Sequence, residues 1–241
     1  MPDRLVVRLL AVLATAAGCL DVICVTRLGG PFASVITGNL VQVGQALVTV
    51  DRSLLVHTTT AIGGYTLGVA VGTVPLRGVR SGWRRRSTRL AAVEAVLLSA
   101  VAVGWLAAGA RPGHVGALLL LGAASTATGI QSVLTISSGI RGASTTYLTG
   151  TLTGVVRTVV GDPHRFAAGA GGVARLGALL GGAVLDALLL RVAPLGAPAL
   201  AAALVVAVVL VAGLRSRHRP AGTDAVRTCR AGRSAKPADG G

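Results

Sequence analysis

The sequence predicts an all-α, polytopic membrane fold built from two homologous, inverted repeats, with six full crossings and two broken or re-entrant segments. Three observations carry that reading. Apolar residues make up 52% of the 241 positions against 13% charged, and they come in blocks such as 90–110 and 193–214, matching the roughly 20 residues a helix needs to cross bilayer hydrocarbon. Two stretches, 18–44 and 126–155, follow one plan about 111 residues apart, with one inserted position. Finally, the basic residues behind a net charge of +15 gather at the ends of apolar blocks. Such flanks orient helices, so the charge does not imply a nucleic-acid partner. The short period-2 alternation of barrel strands is absent.

Eight apolar segments follow in order, roughly 5–26, 32–50, 54–76, 90–110, 115–138, 143–160, 166–191 and 194–214. The first begins after Arg4 and Arg8 and runs through LLAVLATAAGC, which looks like a signal peptide ending at Cys19. Because the surroundings of Gly18 recur around Gly129, it is expected to belong to the mature fold. The second is short and polar, carrying Thr37, Gly38, Asn39 and Gln42. The third places Gly64, Gly68 and Gly72 every fourth residue, a smooth stripe on which another helix can lie. A loop with Arg77, Arg80, Arg84, Arg85, Arg86 and Arg89 leads to the fourth, where Glu94 is expected to be solvated or paired with Arg89 or Arg85.

The fifth segment carries Gly129 and Gln131, and the sixth is again short and polar, with Ser144, Thr145, Thr146, Thr149, Thr151, Thr153 and Arg157. Gly129, Tyr147, Thr149, Gly150 and Leu152 stand where the first copy has Gly18, Val35, Thr37, Gly38 and Leu40. In the seventh, Gly171, Gly172, Gly177 and Gly181 are paired with Gly63, Gly64, Gly68 and Gly72. Arg175 and Asp186 share a face there, about three turns apart, and are expected to find partners on other helices. The eighth is uniformly apolar. The chain thus divides into a first repeat, 1–110, a second repeat, 111–214, and a basic tail, 215–241, expected to be disordered and cytoplasmic.

Charge sets the number of crossings. If all eight segments crossed, the N-terminus, the arginine loop and the basic tail could not share one side. If 32–50 and 143–160 instead enter and leave on one side, all three basic regions are cytoplasmic, leaving Arg27, Arg52, Arg111 and Arg191 outside. Each repeat then holds three crossings, so the second copy is inverted. Inverted repeats with interrupted helices recur among transporters.

The candidate binding residues are Asp21, Thr37, Gly38, Asn39, Gln131, Thr149 and Gly150. An ionised Asp21 inside a span is expensive unless hydrated or paired; it is read either as a proton or cation ligand or as one half of a pair with Arg27. Asn39 and Thr37 can cap backbone freed by a helix break or bind a solute, and Gly38 permits close approach. Thr151 replaces the asparagine in the second copy. Cys19 and Cys24 read as small apolar fillers. Nucleophile turns, metal-binding His pairs and phosphate loops are missing, and His57, His114, His164 and His218 fall at segment edges or in the tail. No enzyme, cofactor or metal is expected.

Several of these residues resemble the YoaK family, small bacterial inner-membrane proteins grouped as a domain of unknown function. The resemblance rests on Gly18 and Asp21, on Leu28-Gly29-Gly30 and Phe32 running into Thr37-Gly38-Asn39-Leu40, and on Gly129 with Gln131 followed by Thr145-Thr146-Tyr147 and Thr149-Gly150. It spans roughly residues 10–214. Members usually have asparagine after the second-copy glutamine, where this chain has Ser132. The resemblance implies an inner-membrane location and no established activity. The expected function is a small-solute transporter or channel with its polar site between the two Thr-Gly segments, its partners being the lipid bilayer and a small molecule or ion. The alternative is a non-transporting scaffold or a lipid- or partner-binding protein. Convergence of Asp21, Asn39, Gln131 and Thr149 on a hydrated cavity would favour transport, and separate satisfaction by neighbours would favour the scaffold.

Overall fold

The protein, as a computed structural model, is described at residues 3–78, 81–140, 148–161 and 166–217. Ser144, Thr145, Thr146, Tyr147, His164 and the tail from residue 218, with its expected disorder, lie outside these residues. Among the described residues eight α-helices follow in order: α1 (Asp3–Arg27), α2 (Ile36–Thr49), α3 (Arg52–Thr73), α4 (Arg85–Ala107), α5 (His114–Ser137), α6 (Leu148–Gly161), α7 (Phe166–Val192) and α8 (Ala197–Arg217). Six are long and apolar enough to span a bilayer: α1, α3, α4, α5, α7 and α8. At 14 residues, α2 and α6 reach only about 21 Å. No strand occurs among the described residues. The chain is a polytopic helical membrane protein.

Contacts at the helix ends sort the spans by direction. Just past α1, Gly29 lies against the ring of His57 near the start of α3; that ring meets His114, at the start of α5, with centroids 5.2 Å apart. At the same end Trp105, near the end of α4, donates its indole N–H to Pro194 O ahead of α8 at 2.8 Å. At the other end, Gly82 N, before α4, donates to Ser137 O at the end of α5. So α1, α4 and α7 run one way and α3, α5 and α8 the other. Arg4, Arg8, Arg84, Arg85, Arg86, Arg89 and Arg215 then share one end, called here the basic end, while Arg27, Arg52, Arg111 and Arg191 lie at the opposite end.

The 54–76 glycine stripe packs as its spacing predicts. A Cβ on Gly64, Gly68 or Gly72 would meet Gly122, Thr126 or Val133 respectively, so α5 lies along the stripe and parallel to α3. The seventh segment departs from expectation: Gly177 and Gly181 have open space, and Gly182 instead lies against Thr15 of α1. The two crossings use matching contacts. Gly68 meets the carbonyl of Thr126 and Gly129 that of Tyr65; Gly182 meets the carbonyl of Thr15 and Gly18 that of Leu179. Thr15 and Gly18 precede Thr126 and Gly129 by 111 residues, while Tyr65 and Gly68 precede Leu179 and Gly182 by 114. The same correspondence appears in burial. The apolar windows of α1 and α5 are each 67% buried, those of α4 and α8 each 39%, and those of α3 and α7 each 22%.

The second segment begins its helix later than its apolar run. Residues 28–35 are irregular because Gly29 and Gly30 take φ of +92° and +100°, a region open to glycine, and turn the chain back into the bundle after α1. From there α2 returns toward the opposite end, where Asp51 accepts from Leu54 N at 3.0 Å and caps α3. The corner between them holds Val50 at φ 54°. In the second half α6 packs along the early part of α7, with Thr151 and Val155 over Gly172, and so lies toward the basic end.

Candidate functional site

The re-entrant segment can exist at membrane depth only if its backbone polar groups find partners inside the protein. They do, and the partners are the residues that looked out of place in the sequence. Asp21, buried at 8% exposure, accepts from Ser34 N at 2.8 Å and from Ser34 Oγ at 2.6 Å. Its partner is therefore a loop residue and not Arg27, which is exposed at the helix end; six residues apart on one helix, Asp21 and Arg27 point to different faces. Asn39, fully buried, closes the loop with both ends of its amide, accepting from Phe32 N at 2.9 Å and donating to Phe32 O at 2.7 Å. Gln42 donates to Gly30 O at 3.1 Å. Gly38 faces the Phe32 ring at ordinary contact distance, and Thr37 is exposed.

Across the bundle, α5 completes this seam. Thr128 donates to Ala33 O at 2.7 Å, which ties the loop beside Asp21 to the second half of the chain. One turn on, Gln131 donates to Leu13 O of α1 at 2.7 Å. Ser132 accepts from Tyr65 of α3 at 2.9 Å and donates to Thr128 O at 2.9 Å. Moving along α1 from Leu13 to Asp21 corresponds to moving back along α5 from Gln131 to Thr128, so these two central helices are antiparallel. The loop is therefore held on Asp21 through Ser34, on Asn39 through Phe32 and on α5 through Thr128, while Gln131 bonds α1 one turn away. Thr149 and Gly150 are exposed on α6 and take no part in the seam.

Ser34 and Thr128 were missed in the sequence because neither falls at a helical interval from Asp21; only the fold-back after Gly29 and Gly30 brings them there. Cys19 and Cys24 are buried as expected, with Cys19 Sγ donating to Gly182 O at 3.3 Å across the α1–α7 crossing. Two acidic residues depart from expectation. Glu94 is neither solvated nor paired: it is fully buried and both carboxyl oxygens lack a hydrogen-bond partner. The reason is its helix face, which it shares with buried Leu90, Ala91 and Leu98. Asp186 is likewise fully buried with both oxygens unpartnered. Among the described residues no group of three or more His, Cys, Asp or Glu side chains could hold a metal ion.

Fold and seam together define a multi-pass helical membrane protein with a half-helix folded back into the bundle and pinned by buried polar side chains. A family model described as "Protein of unknown function (DUF1275)" matches residues 9–212, and the chain belongs to that family. It is similar to the UPF0700 transmembrane protein YoaK of Bacillus subtilis (strain 168), with 31% identity over 154 residues that cover 64% of this chain and 67% of the relative. No solved structure matches it.

Proposed function

We propose that this protein is a small-solute transporter or channel of the bacterial inner membrane, with the basic end cytoplasmic, two inverted repeats moving against each other, and no enzymatic activity. The observation that carries the reading is the re-entrant loop at 28–35, held at depth on Asp21 by Ser34 and tied to the central helix of the other half by Thr128 and Ala33. Irregular backbone at that depth is a recurrent feature of solute sites between repeats. The paired glycine crossings, at constant offsets of 111 and 114 residues, support the inverted repeat. In this reading the site comprises Asp21, Asn39 and Gln131 with Ser34 and Thr128, and the exposed Thr149 and Gly150 leave it.

A scaffold reading is favoured by one specific observation: Asp21 and Asn39 are fully engaged by neighbouring groups. Proteoliposomes separate the two. Purified protein, reconstituted and assayed for swelling and uptake with a panel of ions, amino acids and sugars, is expected to raise the flux of at least one class at least several-fold over empty liposomes. Thr128→Val, which cuts the tie between the halves, should alter that flux. Flux equal to that of empty liposomes across the panel overturns the transport reading and leaves the scaffold.

A further inference from the structure

Glu94 belongs to neither the polar seam nor the glycine crossings, and among the described residues no hydrogen-bond partner faces its carboxyl group. It is fully buried. Its helix packs on α5 and α8 and touches the short turns Val74–Leu76 and Pro194–Gly196. The one titratable group on α5 is His114 at the opposite end; α8 offers only Arg215 and Arg217 at its last turn, and the two short turns offer none. On α4 itself the charges are Arg85, Arg86 and Arg89, all exposed toward the basic end. A carboxylate with neither donor nor cation at membrane depth is expensive, and binding a proton removes that expense.

A cleft also lies near this group, on the side of the basic end. Leu90, one turn before Glu94 and itself buried at 4% exposure, lines a cleft of about 290 Å³ together with Pro75, Arg86, Arg89 and Val93. Of these, Arg86 donates to Pro75 O at 3.3 Å. Leu90 thus both lines the cleft and belongs to the buried face of α4 that carries Glu94 one turn on. We propose that Glu94 is a proton-binding site, loaded and unloaded from the basic end through this cleft with Leu90 as its gate. Resting on the transport reading above, the proton it holds is the coupling ion.

Infrared difference spectroscopy of the full chain in liposomes reads protonated carboxyl groups directly. The expected result is a carboxyl band that shifts in D2O, disappears as pH is raised on the basic side, is lost in Glu94→Gln and persists in Asp186→Asn. Glu94→Asp should restore a band at a shifted position. If Glu94→Gln does not reconstitute, that shift carries the assignment, and an unshifted band overturns the proposal. It is equally overturned if no band is lost in Glu94→Gln, or if the Glu94 band does not respond to pH on the basic side. None of these readouts requires a solute. A protein whose Glu94 titrates as expected but which carries none of the tested solutes therefore keeps its proton site and loses only the coupling role.

Discussion

At the scale of single residues, Asp21 is the most informative side chain. An isolated charge there would be a liability in lipid, but two donors from Ser34 engage its two oxygens, so part of its role is to hold the loop. Replacing it by Asn keeps an acceptor for Ser34 N, and the Ser34 hydroxyl can turn to accept from the new amide. The expected loss for Asp21→Asn is therefore small, about 1 kcal/mol, whereas Asp21→Ala leaves a buried N–H without a partner and should lose about 1–3 kcal/mol. Melting of the purified variants in detergent checks the order. If Asp21 also serves the solute, Asp21→Asn should abolish flux while the melting temperature barely moves. A clear drop in melting temperature with unchanged flux would remove Asp21 from the site.

At the scale of elements, glycine acts by position and not by number. The α1–α7 crossing brings Gly18 against Leu179 O and Gly182 against Thr15 O, so a methyl group at either position would collide with backbone, which cannot swing away as a side chain tip can. Gly18→Ala and Gly182→Ala should each destabilise by about 1–3 kcal/mol or more, the range for overpacked sites. Gly44, where a Cβ would have nothing within 4 Å, should accept alanine with unchanged or higher stability, since alanine favours a helix interior by about 1 kcal/mol. Thermal melting of the three variants side by side tests the contrast. The corner between α2 and α3 predicts the reverse substitution. Val50 is 75% exposed at φ 54°, a conformation that penalises a β-branched residue, so Val50→Gly should raise the melting temperature by an amount equivalent to about 1 kcal/mol.

At the scale of the whole molecule, the arrangement of ends is the testable feature. Asp51 lies at the end shared by His57 and His114, and Arg85 lies beside the Gly82–Ser137 contact at the other. In cells, with Cys229 replaced by Ser, a cysteine at position 51 should react with a membrane-impermeant thiol reagent from outside. One at position 85 should react only after permeabilisation, while Cys19 and Cys24 are buried and should stay silent. Reaction of both introduced cysteines from the same side would contradict the six-crossing arrangement and, with it, the proposed inversion of the repeats.

Much of this was legible in the sequence because lipid imposes simple constraints. The lengths of the apolar blocks, the clustering of arginine and the four-residue glycine spacing at 64, 68 and 72 depend on local chemistry alone, and they determined the spans, the sharing of an end by the basic segments and the packing of α3 on a neighbour. The recurrence of the Gly18 surroundings at Gly129 likewise pointed to corresponding places in the two crossings. Tertiary structure decided what locality cannot express. The partner of Asp21 is Ser34 because two glycines with positive φ turn the chain inward. The seventh-segment glycine that meets α1 is Gly182 and not the expected Gly177 or Gly181, because a crossing selects one helix face, which sequence spacing alone does not identify. Glu94 sits near a basic loop in the sequence yet faces the interior without a partner, since the direction of a helical side chain is set by which neighbours cover its face. Those placements arise from contacts between residues far apart in the chain, which is why only the packed bundle determines them.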